Sequence, residues 1–140
     1  MSIETNTSIA RNFLGTIDRN DWDELRRIVT DDFVMELPGQ PDVDKEGFVQ
    51  FCIGWYAAFP DLVHDIQETI CEGDRVAIRI VVQGTHLGEF MGLPATGRSI
   101  AMNSFGIGTV RDGRVSKLWA LPDVMGMMQQ LGAVPETATA

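Results

Sequence analysis

The chain has 140 residues, of which 44% are hydrophobic and 22% charged, and its formal net charge is -9. That length holds one domain with a buried core, and the negative charge excludes a reader of phosphate backbones, which needs clustered Lys and Arg. No apolar run approaches the about 20 residues that cross a bilayer, and anionic membrane surfaces repel such a chain.

Along the chain, Ile9, Phe13, Leu14 and Ile17 recur at helical spacing, so an amphipathic helix is expected over Ser8 to Arg19. Asn20-Asp21 breaks it. Asp21 is placed to cap a second short helix with Trp22, Leu25, Ile28 and Val29 on its apolar face. Phe33, Met35 and Leu37 alternate with Val34 and Glu36, a short strand stopped by Pro38-Gly39, and residues 40–44 form a loop. Asp44 can cap a third helix running through Phe48, Phe51, Cys52, Trp55 and Tyr56 to Pro60, the most aromatic element.

Leu62 to Cys71 is expected to be a strand, Glu72-Gly73-Asp74 a turn, and Arg75 to Thr85 a long strand. Val76, Ile78, Ile80 and Val82 share one face of it, in phase with His86, while Arg75, Arg79 and Gln83 share the other. From Gly84 to Gly97, four glycines and Pro94 preclude a regular helix and predict a shaped loop at the mouth of a pocket. Ser99 to Arg111 is a further strand, with a hairpin at Arg111-Asp112-Gly113 leading into a strand over Arg114 to Leu121. Pro122-Asp123 opens a last helix over Val124 to Leu131, and Gly132 ends it. The domain is expected to span 1–140, with its core over 8–132 and a frayed tail over 133–140.

The pattern is α+β: three helices with one strand among them, a run of antiparallel strands, and a short C-terminal helix. A curved sheet wrapped around helices encloses a cone-shaped interior suited to a hydrophobic small molecule. The N-terminal Met-Ser-Ile-Glu-Thr-Asn-Thr lacks the basic start and apolar block of a signal peptide, so a cytoplasmic location is expected. Cys52 and Cys71 lack paired spacing and are expected to be reduced, buried thiols. His64, beside Asp65, is expected on the surface, and two separated histidines without a third ligand predict no metal site.

Several motifs in order, Gly84-Thr85-His86-Leu87-Gly88-Glu89-Phe90-Met91-Gly92, Ala95-Thr96-Gly97-Arg98, Asp112-Gly113-Arg114-Val115, Leu121-Pro122-Asp123 and Gln130-Leu131-Gly132, resemble the SnoaL-like polyketide cyclases, or ester cyclases. That resemblance implies the nuclear-transport-factor-2-like (cystatin-like) fold, a cofactor-free enzyme, and ring closure by intramolecular aldol condensation of a polyketide-type ester. It also implies a homodimer formed through the outer sheet surface that carries Arg75, Arg79 and Gln83. By position in the motif, Asp123 is the general acid or base. The family's polar strand residues, a histidine and a glutamine, fall at Thr109 and Ile107 here, which leaves Asn103 to orient a carbonyl and a more apolar pocket.

Trp119 and Leu121 precede Asp123 and are expected to press an apolar wall against its carboxyl, which would raise its pKa toward the range useful for enolate chemistry. The alternative is that Asp123 only caps the last helix. His86 is expected either to bond the substrate or Asp123, or to satisfy loop backbone. Phe33, Met35, Trp55, Tyr56, Met102, Phe105 and Trp119 are candidates for an aromatic pocket; Tyr56 and Trp119 have polar tips suited to ligand contact, and most of the others are expected to be core. Met125, Met127 and Met128 could close one end of the cavity or equally be ordinary packing. An epoxide hydrolase or hydroxylase of the same fold is the enzymatic alternative, the hydrolase requiring Arg79 to converge with Asp123; a non-catalytic, dimeric ligand-binding protein is the other.

Overall fold

Residues 2–134 are described by a computed structural model. Helix α1 (Ile3–Asp18) starts earlier than the apolar periodicity suggests, because Ser2 accepts a hydrogen bond from the Thr5 amide and so supplies an N-cap ahead of Ser8. Asp21 and Asp44 cap α2 (Trp22–Ile28) and α3 (Lys45–Ala58) as the sequence implies, each accepting from an amide three residues on. Strand β1 (Val29–Glu36) takes over directly at Val29, so the second helix is one residue shorter than its apolar face and the strand four residues longer at its start. The two-residue β2 (Val43–Asp44) occupies part of the expected loop.

The remaining elements follow the sequence closely: β3 (Val63–Glu72), β4 (Arg75–Thr85), β5 (Ser99–Arg111), β6 (Arg114–Pro122) and α4 (Val124–Gln130). They complete one six-stranded sheet in the order β2-β1-β6-β5-β4-β3. Its pairings are antiparallel except that β1 lies parallel to β6, with Met35 opposite Leu118. Parallel neighbours cannot be joined by a hairpin, and here β2, α3, β3, β4 and β5 intervene. A bulge between Ile66 and Glu68 restores the inward phase of β3, so His64 and Ile66 face the same side as Thr69 and Cys71. Of the tail, Ala133 still bonds the Met128 carbonyl (2.9 Å), and residues 135–140 lie outside the described residues.

The core fills the concave side of this sheet. Phe13 of α1, Phe33 of β1 and Phe48 of α3 form an aromatic trio with centroids 4.9 to 6.5 Å apart. Val76, Ile78, Ile80 and Val82 are buried beneath them, as the even phase of β4 predicts. Cys52 is buried, whereas Cys71 is only half-buried; both are free thiols. No helix among the described residues is long and apolar enough to cross a membrane.

Candidate active site

Between the concave sheet face, α1 and α3 lies a cavity of about 140 Å³. Its existence follows from β5, whose inward positions after Met102 are Ser104, Gly106 and Gly108 rather than large side chains. A Cβ at Gly108 would meet nothing nearer than 4.0 Å, so the space there is real. Apolar side chains and glycines make up the lining except for Cys52, Trp55, Tyr56, His64 and Ser104. Among the described residues no Lys, Arg, Asp or Glu contributes to it.

His64 is not a surface residue. Its inward phase on β3 places it opposite Val82, and its side chain is 16% exposed. Asp18, the last residue of α1, takes both its backbone amide (3.1 Å to Oδ2) and its ring Nδ1 (2.6 Å to Oδ1). The Tyr56 hydroxyl donates to the same Oδ1 at 2.6 Å. Burial alone would raise the Asp18 pKa, but the hydrogen bonds from His64 and Tyr56 outweigh it and hold the carboxyl below its ordinary value. Burial, then the bond to Asp18, pushes the Tyr56 phenol up, so it stays a donor. An ionised carboxylate can only accept, so His64 donates from Nδ1, and in the neutral form of this cavity-lining ring the lone pair is on Nε2. Burial drives the Cys52 thiol up to about 12, too high for a thiolate nucleophile at neutral pH.

This cluster carries a sequence signal that composition and motif reading passes over. Asp18 lies four residues after Leu14, on the cavity-facing stripe of α1, and His64 shares the inward parity of Ile66. The two residues are 46 apart in the chain, so only the fold joins them.

The other candidates fall elsewhere. Asp123 caps α4 through the Gly126 amide (3.0 Å), is exposed, and is absent from the cavity lining. The apolar wall expected over it faces away, because the odd positions of β5, and those of β6 from Lys117 onward, beyond the bulge that turns Val115 inward, point to the convex side of the sheet. Trp119, Asn103, Phe105 and Thr109 therefore do not reach the cavity; Phe105 and Trp119 pack edge to face at 6.4 Å on the outside. Phe33 is core, 1% exposed; of the candidates for an aromatic pocket, Met35, Trp55, Tyr56 and Met102 line the hollow.

His86 satisfies its own loop. Its Nδ1 takes the Thr96 amide (3.2 Å) and faces the Thr96 hydroxyl (3.0 Å), its ring stacks on Phe59 at 5.3 Å, and it is fully buried. The glycine-rich loop contributes nothing to the lining; it packs on α3 instead, through Phe90 against Trp55 (4.6 Å) and the Leu87 and Gly88 amides on the Ala58 carbonyl (both 3.0 Å). A Cβ at Gly88 would sit 2.3 Å from the Ala57 carbonyl oxygen, so this approach requires glycine. Met125, Met127 and Met128 do not line the cavity. The Gln-Leu-Gly motif is structural: the Gln130 side chain pairs with both backbone groups of Ala101 (2.8 and 3.0 Å), continuing the ladder where β6 has ended. Arg79 lies on the convex face beside Glu68 (3.3 Å), and neither it nor Asp123 lines the cavity.

A family model of SnoaL-like polyketide cyclases matches residues 8–131. Among solved structures, the chain is 33% identical to IdmH from Streptomyces antibioticus, proposed to be a polyketide cyclase, over 91% of this chain and 98% of that one, with a TM-score of 0.82. AclR from Streptomyces galilaeus, proposed to be a hydroxylase, is 27% identical over 99% of this chain and 87% of that one, with a TM-score of 0.89. A SnoaL-like protein from Jannaschia sp. CCS1, 21% identical over 96% of this chain and 98% of that one, shares the fold with a TM-score of 0.86. No curated protein matches.

Proposed function

Because the chain belongs to the SnoaL-like polyketide cyclase family, we propose that it is a cofactor-free cyclase or isomerase acting on an enolisable carbonyl compound by acid-base catalysis. The observation that carries this reading is the apolar hollow whose wall holds Tyr56 and His64, both hydrogen-bonded to the Asp18 carboxylate. Desolvated apolar walls favour a neutral substrate, and no Lys or Arg among the described residues lines them to receive a carboxylate, so the substrate is a ketone or ester rather than a free acid. Proton abstraction next to its carbonyl gives an enolate. In the cyclase case the enolate carbon forms a bond to a second carbonyl carbon of the same molecule, and the resulting alkoxide takes up the proton. The test is solvent exchange: neutral cyclic ketones and β-keto esters incubated with the protein in heavy water should gain deuterium at the α-carbon faster than in buffer. No acceleration and no binding across such a panel would end this reading.

A hydroxylase reading is favoured by one observation, the likeness to AclR over nearly the whole chain. Consumption of dioxygen with a bound substrate would favour it over enolisation.

The same proposal includes a homodimer. On the convex face Ile70, Ala77, Ile107 and Trp119 form one cross-strand row, and Glu68, Arg79, Phe105 and Leu121 the next. Ile70, Phe105 and Leu121 are 62%, 39% and 51% exposed, an apolar patch that a second copy would cover. Phe105→Glu should convert a sedimenting dimer to monomer; an unchanged sedimentation coefficient would refute this surface.

A further inference from the structure

We infer that His64 is the general base of the cavity, with Asp18 a positioning residue that fixes its tautomer and Tyr56 a second donor that holds Asp18 in place. This rests on the reading of the cavity as a site of enolisation and names the group that moves the proton.

Three features of the geometry point to it. The ring lines the cavity, and the hydrogen bond that occupies Nδ1 comes from the side away from Nε2. Asp18 receives three hydrogen bonds, from the His64 amide, the His64 ring and the Tyr56 hydroxyl, so its carboxylate is held in one place and ionised. The remaining polar groups of the lining do not compete: the Cys52 thiol and Tyr56 phenol are both pushed up, and Ser104 has no acid-base partner among the described residues. A tie that merely anchored the start of β3 to α1 would be complete with the backbone bond from the His64 amide to Oδ2. The second contact, ring to Oδ1, adds an oriented imidazole facing an apolar space.

In the step this implies, Nε2 accepts the proton of a C–H bond beside the substrate carbonyl. The electron pair of that bond forms the enolate, and the ring becomes an imidazolium whose charge Asp18 offsets across the 2.6 Å contact. The imidazolium then returns the proton, to the new alkoxide oxygen in ring closure or to a different carbon in isomerisation. No oxidant or metal enters the balance.

The probe is para-nitrophenol, whose phenolate absorbs visibly, in slightly acidic buffer where most of the free phenol is not ionised. Wild type should bind it with a visible phenolate band, because its proton passes to Nε2. His64→Gln should bind it while losing about tenfold or more of that band, and α-exchange of ketones should fall by about 10²–10⁴. Asp18→Asn should weaken the band without a matching loss of affinity, which a purely structural role would not do. Nitrogen chemical shifts of wild-type His64 provide an independent reading that needs no variant: protonation at Nδ1 with a bare Nε2 is expected at neutral pH, and the opposite tautomer overturns the inference. An unchanged band and exchange rate in folded His64→Gln overturn it too while leaving the enolisation reading in place. If wild type neither binds the phenol nor accelerates exchange, both fall.

Discussion

The chain contains two histidines, and their surroundings differ in the one respect that decides what an imidazole can do. At His86 the ring nitrogen Nδ1 accepts a backbone N–H from Thr96, so the proton sits on Nε2, which is buried without a partner among the described residues. At His64 the same nitrogen faces a carboxylate, the proton sits on Nδ1, and the lone pair is on the nitrogen that remains. One ring offers no base and stacks on Phe59; the other offers a base beside a hollow. A neighbour that donates or a neighbour that accepts thus separates a packing histidine from a reactive one.

The largest expected effect breaks this pair apart. His64→Gln should lower kcat/KM for α-exchange by about 10²–10⁴, while His86→Gln should leave the rate per folded molecule within a few-fold of wild type. Equal losses in both variants would erase the distinction.

In stability the order reverses. His86→Ala removes a fully buried ring and its bonds to Thr96, and urea unfolding should show a loss of about 2–4 kcal/mol. His64→Gln, at a half-buried position, should lose less.

Acid titration sharpens the contrast. The folded Asp18 carboxyl has a lowered pKa, so at pH above the unfolded carboxylate value of about 4 its bonds stabilise the fold in full. As the pH falls below that value, the unfolded chain binds the proton first, and this stabilisation drains away until the folded group is protonated as well. The urea midpoint of wild type should therefore drop more steeply below pH 4 than that of Asp18→Asn. Asp32 adds to the same acid limb in both proteins, because Arg111, and then Thr30, hold it at about 2.

The smallest effect concerns the hollow itself. Gly108→Ala fills unoccupied space on a strand with no steric conflict, and should raise stability by about 0.5–1 kcal/mol while weakening phenol binding.

Strands β4 and β5 are legible to the residue because regular alternation and flanking glycines mark both ends. The site is not, and the reason lies in β5. Its odd positions, Asn103, Phe105 and Thr109, carry the polar and aromatic groups that look like a pocket, whereas its even positions include Ser104, Gly106 and Gly108, which look like nothing. A cavity is the place where large side chains are missing, so hydrophobic patterning reads it in the wrong phase. The motif containing Asp123 is genuine in sequence and serves as a helix cap. The Asp18–His64 contact joins two elements whose local patterns carry no information about each other.

The parallel union of β1 with β6 bears on how the protein is made. A ribosome releases β1 early, yet the strand that must lie alongside it is the last of the sheet to emerge. Until then the first strand has only the two residues of β2 to pair with, and its other edge stays open although α1 and α3 can already cover Phe33. Completion of the fold is thus deferred to the end of synthesis, and a chain cut short before Arg114 would present an open, greasy strand to its neighbours in the cell.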